Sequence, residues 1–129
     1  MNNKQRLKFF WKITKIINKK FCKNKLKIKD IIFFRKKKRL FRNTVGIYVH
    51  DFKVIMLRES IPIQLQIKIL CHELAHVYER QIIKIDYSNI HKKRLGSKKY
   101  YKCAHNKKFH RLFDKFLKEV IKNFKIDIN

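Results

Sequence analysis

Between Ile63 and Val77 the apolar residues Ile63, Ile67, Leu70, Leu74 and Val77 recur at steps of three and four. A repeat of 3.6 residues gathers all five on one face of an α-helix, and that face has to be covered by the rest of the chain. Pro62 stands where the helix would open, in the first turn, where its missing N–H costs nothing. The pattern predicts a helix running to about Ile83. Any fold for this chain must be built around that element.

The helix also carries chemistry. His72 and His76 are four residues apart, so their rings stack one turn above the other and converge on a single metal ion. Neutral imidazole is a good zinc ligand, and two of them supply half of a tetrahedral shell. Glu73 follows the first histidine, about 100° round the helix, where a carboxylate can reach a metal-bound water. Zinc lowers the pKa of such a water to about 7, and the carboxylate can take its proton as it attacks a polarised carbonyl. Zn2+ is therefore the expected cofactor and Glu73 the expected general base.

A catalytic site of this kind needs a third protein ligand. His50, His91, His105 and His110 are the candidates. A last helix is expected from about His105, with Phe109, Leu112, Phe113, Phe116, Val120 and Phe124 on its apolar face. His105 projects with that face, whereas His110 lies about 140° away on the same wheel. His105 is the expected ligand and His110 the alternative. Cys103 is a competing thiolate donor.

Upstream, Phe10, Ile13, Ile17 and Phe21 mark an amphipathic basic helix over residues 4–22. Thr44–Val49 and Val54–Leu57 are β-branched and aromatic, separated by His50–Lys53, and predict an antiparallel hairpin. Gly96-Ser97 reads as a turn within a polar, basic stretch. The fold class expected is α+β: an N-terminal helix, a small antiparallel sheet, the histidine-bearing helix and a C-terminal helix. Residues 1–42 read as a basic helical segment and 43–129 as the domain proper.

The order of hairpin, His72-Glu73-Leu74-Ala75-His76, basic loop and His105-x-x-x-Phe109 resembles the SprT-like (Spartan-type) zinc metallopeptidase domain, over residues 44–117. The resemblance implies a minimal zincin-like fold, His72, His76 and His105 as zinc ligands, Glu73 as catalytic base, and a protein substrate on or near DNA. Asn106 replaces the family's usual glycine after the distal histidine, and the cysteine-paired zinc ribbon of many members is absent. The WLM peptidases, with a similar distal His-x-x-x-Phe, are a close alternative. The ImmA/IrrE-like peptidases also carry HExxH after a strand, but their following acidic segment is not evident.

Charge supplies an independent clue. The chain has 35 Lys and Arg against 9 Asp and Glu, a formal net charge of +26. Residues 1–42 hold 17 basic and 1 acidic, 43–90 hold 5 and 5, and 91–129 hold 13 and 3. Two positive segments thus flank a neutral centre, and the run Arg35-Lys36-Lys37-Lys38-Arg39 is a patch of the kind that meets nucleic acid. Such a field attracts polyanions, so nucleic acid is an expected partner through the Lys and Arg of 1–42 and 91–129. The competing reading is a basic nucleic-acid-binding protein whose zinc, closed by a fourth ligand such as Cys103, is only structural.

Cys22, Cys71 and Cys103 form no CxxC pair and leave an odd number, which suggests free thiols in a reducing compartment. No stretch approaches the roughly 20 apolar residues that span a bilayer. The expectation is a soluble intracellular protein, cytoplasmic or associated with the nucleus or nucleoid.

Overall fold

Residues 1–35, 44–85 and 105–128 are described by the computed structural model. Arg35 is within that set. Lys36–Arg39, the Gly96-Ser97 turn, His91 and Cys103 lie outside the described residues.

Asn2 starts the first helix, α1 (Asn3–Phe21), with a reciprocal cap: its side chain accepts from the Gln5 N–H, and the Gln5 side chain accepts from the Asn2 N–H. Both bonds satisfy donors that a helix start leaves open. Phe10, Ile13 and Ile17 of α1 are fully buried, as the sequence spacing requires. After the helix, the Asn18 side chain both accepts from Leu26 N–H and donates to Leu26 C=O, which turns the chain towards the sheet.

The sheet has three strands among the described residues: β1 (Asp30–Phe34), β2 (Gly46–Val49) and β3 (Val54–Arg58), in the order β1-β3-β2. The expected hairpin is present as the antiparallel pair β2–β3, with Tyr48 opposite Ile55. The sheet is nevertheless mixed rather than antiparallel throughout, because β1 joins β3 in parallel, with Ile31 opposite Ile55 and Phe33 opposite Leu57. Ile31-Ile32-Phe33-Phe34 is a short continuous apolar run, which by itself does not announce its period. Within residues 1–42, read from sequence as a basic helical segment, the described residues 1–35 contribute both a helix and a strand, and Phe10 and Ile31 share one core with Leu70 and Phe109.

Helix α2 (Ile63–Tyr78) crosses this core, with Pro62 as its N-cap. Ile67, Leu70, Leu74 and Val77 are buried as expected, and so are Ile69, Cys71 and Ala75, because the sheet, α1 and α3 (Lys107–Phe124) all pack against it. Gln66, fully buried, ties three elements together: it donates to Arg58 C=O and accepts from the Arg6 guanidinium. The helix does not continue regularly to Ile83. It passes into a π-helical turn (Glu79–Ile83), closed by Lys84 in the left-handed region at φ 64°. Gln81 in that turn pairs with both backbone groups of Lys27 and donates to the Tyr48 hydroxyl.

Helix α3 runs antiparallel to α1, since Phe9 meets Phe124 and Phe21 meets Phe116. Lys20 and Glu119 bridge the same two helices at 2.9 Å. Among the described residues no helix is long and apolar enough to cross a membrane.

Gly46 is where β2 meets α2. A Cβ there would run into Cγ2 of Ile69. Gly46→Ala should therefore destabilise the fold by about 1–3 kcal/mol in urea unfolding. Adding Ile69→Leu, which moves the branch away from Cβ, should recover part of the loss; purely additive effects would refute this account of the packing.

Candidate metal centre

Two segments far apart in the chain build the site. His72 and His76 project from the same side of α2, with ring centroids 4.8 Å apart. His105 arrives from just before α3, with its ring stacked on His72 at 5.0 Å and its Nε2 3.1 Å from His76 Nε2. One ligand nitrogen from each of the three histidines lies within 4.8 Å of the others. A tetrahedral zinc ion with bonds of about 2.0–2.1 Å places its nitrogen donors roughly 3.3 Å apart, so the three imidazoles need only small adjustments to share one ion. The residues fit a metal ion, and imidazole donors suit several transition metals. Among the described residues this is the one group of three or more His, Cys, Asp or Glu side chains so arranged.

The position of His105 depends on Asn106 and Phe109. Asn106 is extended (φ −77°, ψ −179°) and caps α3, its side chain accepting from the Phe109 N–H at 3.0 Å. Asn106 is therefore a helix cap, not a left-handed hinge. His105 itself precedes the helix instead of sitting on its wheel. Phe109, one turn in, is fully buried and touches all three imidazoles: it stacks on His76 at 4.4 Å and stands edge-on to His72 and His105 at 4.9 and 5.0 Å. The spacing of the His-x-x-x-Phe segment is thus the spacing from a residue before the cap to the ring that forms the floor of the site.

The other histidines are elsewhere. His110 is exposed on α3, as its place on the wheel predicts. His50, in the turn after β2, lies against Tyr48, with its Nδ1 3.0 Å from the tyrosine hydroxyl.

Burial and the neighbouring His72 and His105 push the His76 pKa down to about 3, so this ring is neutral at physiological pH and its nitrogen is available to a metal. Glu73 is buried, with Oε1 3.4 Å from His72 Nδ1. Together with His72, Lys68, Ile69 and Phe113 it lines an open cleft of about 440 Å3 whose other wall is Thr44, Val45 and Gly46 at the start of β2. Cys71, beside the first histidine, is fully buried in the core, and burial pushes its thiol up to about 12, so that it stays protonated at neutral pH.

Sequence reasoning missed Glu79. Its side chain is 4% exposed and reaches His76 from the far side of the ring, Oε1 standing 3.9 Å from Nδ1. The spacing His76-x-x-Glu79 was the available signal, since residues three apart share a helix face.

Comparison of the chain with protein-family models, with curated proteins and with solved structures finds no match.

The His76 shift has a consequence for the metal-free protein. An unfolded histidine takes up its proton near 6.5, whereas the folded ring stays neutral down to about 3. The unfolded state binds more protons in that interval, so stability should fall as pH drops from about 6.5 towards 3. Denaturant unfolding of the metal-free protein at a series of pH values should show this loss, and His76→Gln should lack the part due to His76.

Proposed function

We propose that this chain is a zinc-dependent metallopeptidase of the SprT-like type. The observation that carries the reading is the convergence of His72, His76 and His105 on one point, with the Glu73 carboxylate beside them at the edge of an open cleft. Bound zinc would supply a Lewis acid that polarises a carbonyl and brings the pKa of water into the neutral range.

The protein's own residues supply the rest. His72, His76 and His105 would hold the ion through ring nitrogens. Glu73 takes a proton from the attacking water and passes it to the amide nitrogen as the C–N bond breaks, so that one water is consumed and an acid and an amine leave. β2 lies at the edge of the described sheet and borders the cleft, where its backbone is suited to receiving an extended stretch of a protein substrate. The cleft is open, which suits a polypeptide better than a small enclosed ligand.

The charge pattern supports an action on proteins near nucleic acid. Lys4, Lys8, Lys12, Lys15 and Lys19 are all exposed on α1, and at about 100° per residue they occupy a sector of about 80° opposite the buried Phe10, Ile13 and Ile17. Trp11, 37% exposed, borders that sector. A cationic stripe beside an exposed aromatic ring is suited to single-stranded nucleic acid, whose phosphates meet the lysines and whose bases stack.

Three experiments test these statements. Glu73→Gln should keep zinc and lose protein cleavage by about 10²- to 10⁴-fold, assayed with and without single-stranded DNA. Wild-type protein that binds zinc but cleaves nothing under either condition, itself included, would instead support a nucleic-acid-binding protein with a structural metal. His105→Ala should abolish stoichiometric zinc while His110→Ala retains it. For the stripe, replacing Lys8, Lys12, Lys15 and Lys19 by alanine should weaken single-stranded DNA binding and flatten its logarithmic salt dependence by roughly 0.7 for each phosphate no longer neutralised.

A further inference from the structure

The carboxylate behind His76 has a geometry that the proposed reaction leaves unused. His76 presents Nε2 towards His105, at 3.1 Å, and Nδ1 towards Glu79, at 3.9 Å. The two nitrogens of one ring therefore face two different tasks. Glu79 stands on the side away from the other imidazoles, so it is not one of the convergent donors. It is held there by the backbone: the Glu79 N–H bonds to both Ala75 C=O and His76 C=O, and its own C=O accepts from Ile85 N–H at 2.9 Å as the helix widens into the π turn. Widened turns of this kind inside helices are frequent at functional sites.

We infer that Glu79 is a positioning residue that fixes the orientation and tautomer of His76 for metal binding. The inference rests on the metal-site reading. A histidine that binds a metal through Nε2 must carry its proton on Nδ1, and a carboxylate facing Nδ1 selects that tautomer. The present separation is an ion-pair distance, about 1 Å longer than a charge-assisted hydrogen bond. Withdrawal of electron density by a cation at Nε2 makes the Nδ1–H more acidic and strengthens its attraction to the carboxylate. Burial enlarges the effect, because Glu79 is 3% exposed and little solvent screens the pair. The carboxylate touches neither substrate nor reacting atoms in this scheme. It acts through the ring.

The test is zinc affinity, measured by competition with a chromophoric chelator on the full chain, alongside the absorption spectrum of the Co2+-loaded protein. Glu79→Gln, nearly the same shape without the charge, should weaken zinc binding by about 10- to 100-fold and alter the Co2+ ligand-field bands. The thermal midpoint of the metal-free protein should not fall. Zinc affinity within about twofold of wild type would overturn the inference, as would a loss of affinity that merely follows a lower metal-free midpoint. Wild-type protein that binds Zn2+ no better than a His72→Ala/His76→Ala variant would overturn the metal site itself, and this inference with it. Wild-type binding with an indifferent Glu79→Gln removes the positioning role alone.

Discussion

The contact of Phe109 with the imidazoles of His72, His76 and His105 is the interaction on which the site depends. Two of those histidines are local to α2, and their spacing would hold in any helix. The third is 29 residues beyond His76 and reaches them only because α3 docks against α2. Phe109 makes that docking specific: its ring is fully buried, and burial of a phenylalanine side chain contributes about 1.5–3 kcal/mol. The Asn106 cap fixes where α3 begins, and so fixes how far His105 stands from the ring beneath it. Packing and metal-site geometry are one arrangement here.

The same docking resolves a conflict created by the charge. A chain with a formal net charge of +26 repels itself when compact. On α1, the five lysines of the outward stripe are exposed, where water and salt weaken their repulsion. Acids stand at joins between elements. Lys20 holds the Glu119 carboxyl below its ordinary range, where α1 meets α3. The Asn3 amide and Arg35 do the same for Glu59, where α1 and the end of β1 approach the turn after β3. Such exposed pairs add little stability individually. Their value is in orienting elements that the core already holds, while the lysines of the stripe stay on the outside of α1.

Much of this was legible locally. The steps of three and four gave α2 and its buried face, and the helical wheel of the last helix put His110 off the apolar face, where it is exposed; the same wheel did not place His105, which stands before the helix. The β2–β3 pair followed from β-branched and aromatic runs around a short turn. What escaped were features decided by partners distant in sequence. β1 fell within a segment read from sequence as helical, and four apolar residues in a row do fit either a strand or a buried helix; pairing with β3 makes it a strand. The widening of α2 into a π turn has no signature in its apolar spacing. Its Gln81 is held by backbone groups of Lys27 and by the Tyr48 hydroxyl, which no local pattern specifies.

The sequence by itself determined the helix carrying His72, Glu73 and His76, the donors it offers and the exclusion of His110 from its neighbourhood, because a period of 3.6 residues fixes which side chains share a face. Tertiary structure decided that His105 completes the group and that Phe109 lies against all three rings. Those relations depend on how α2, α3 and the sheet pack, and packing is set by long-range burial, which a local repeat does not encode.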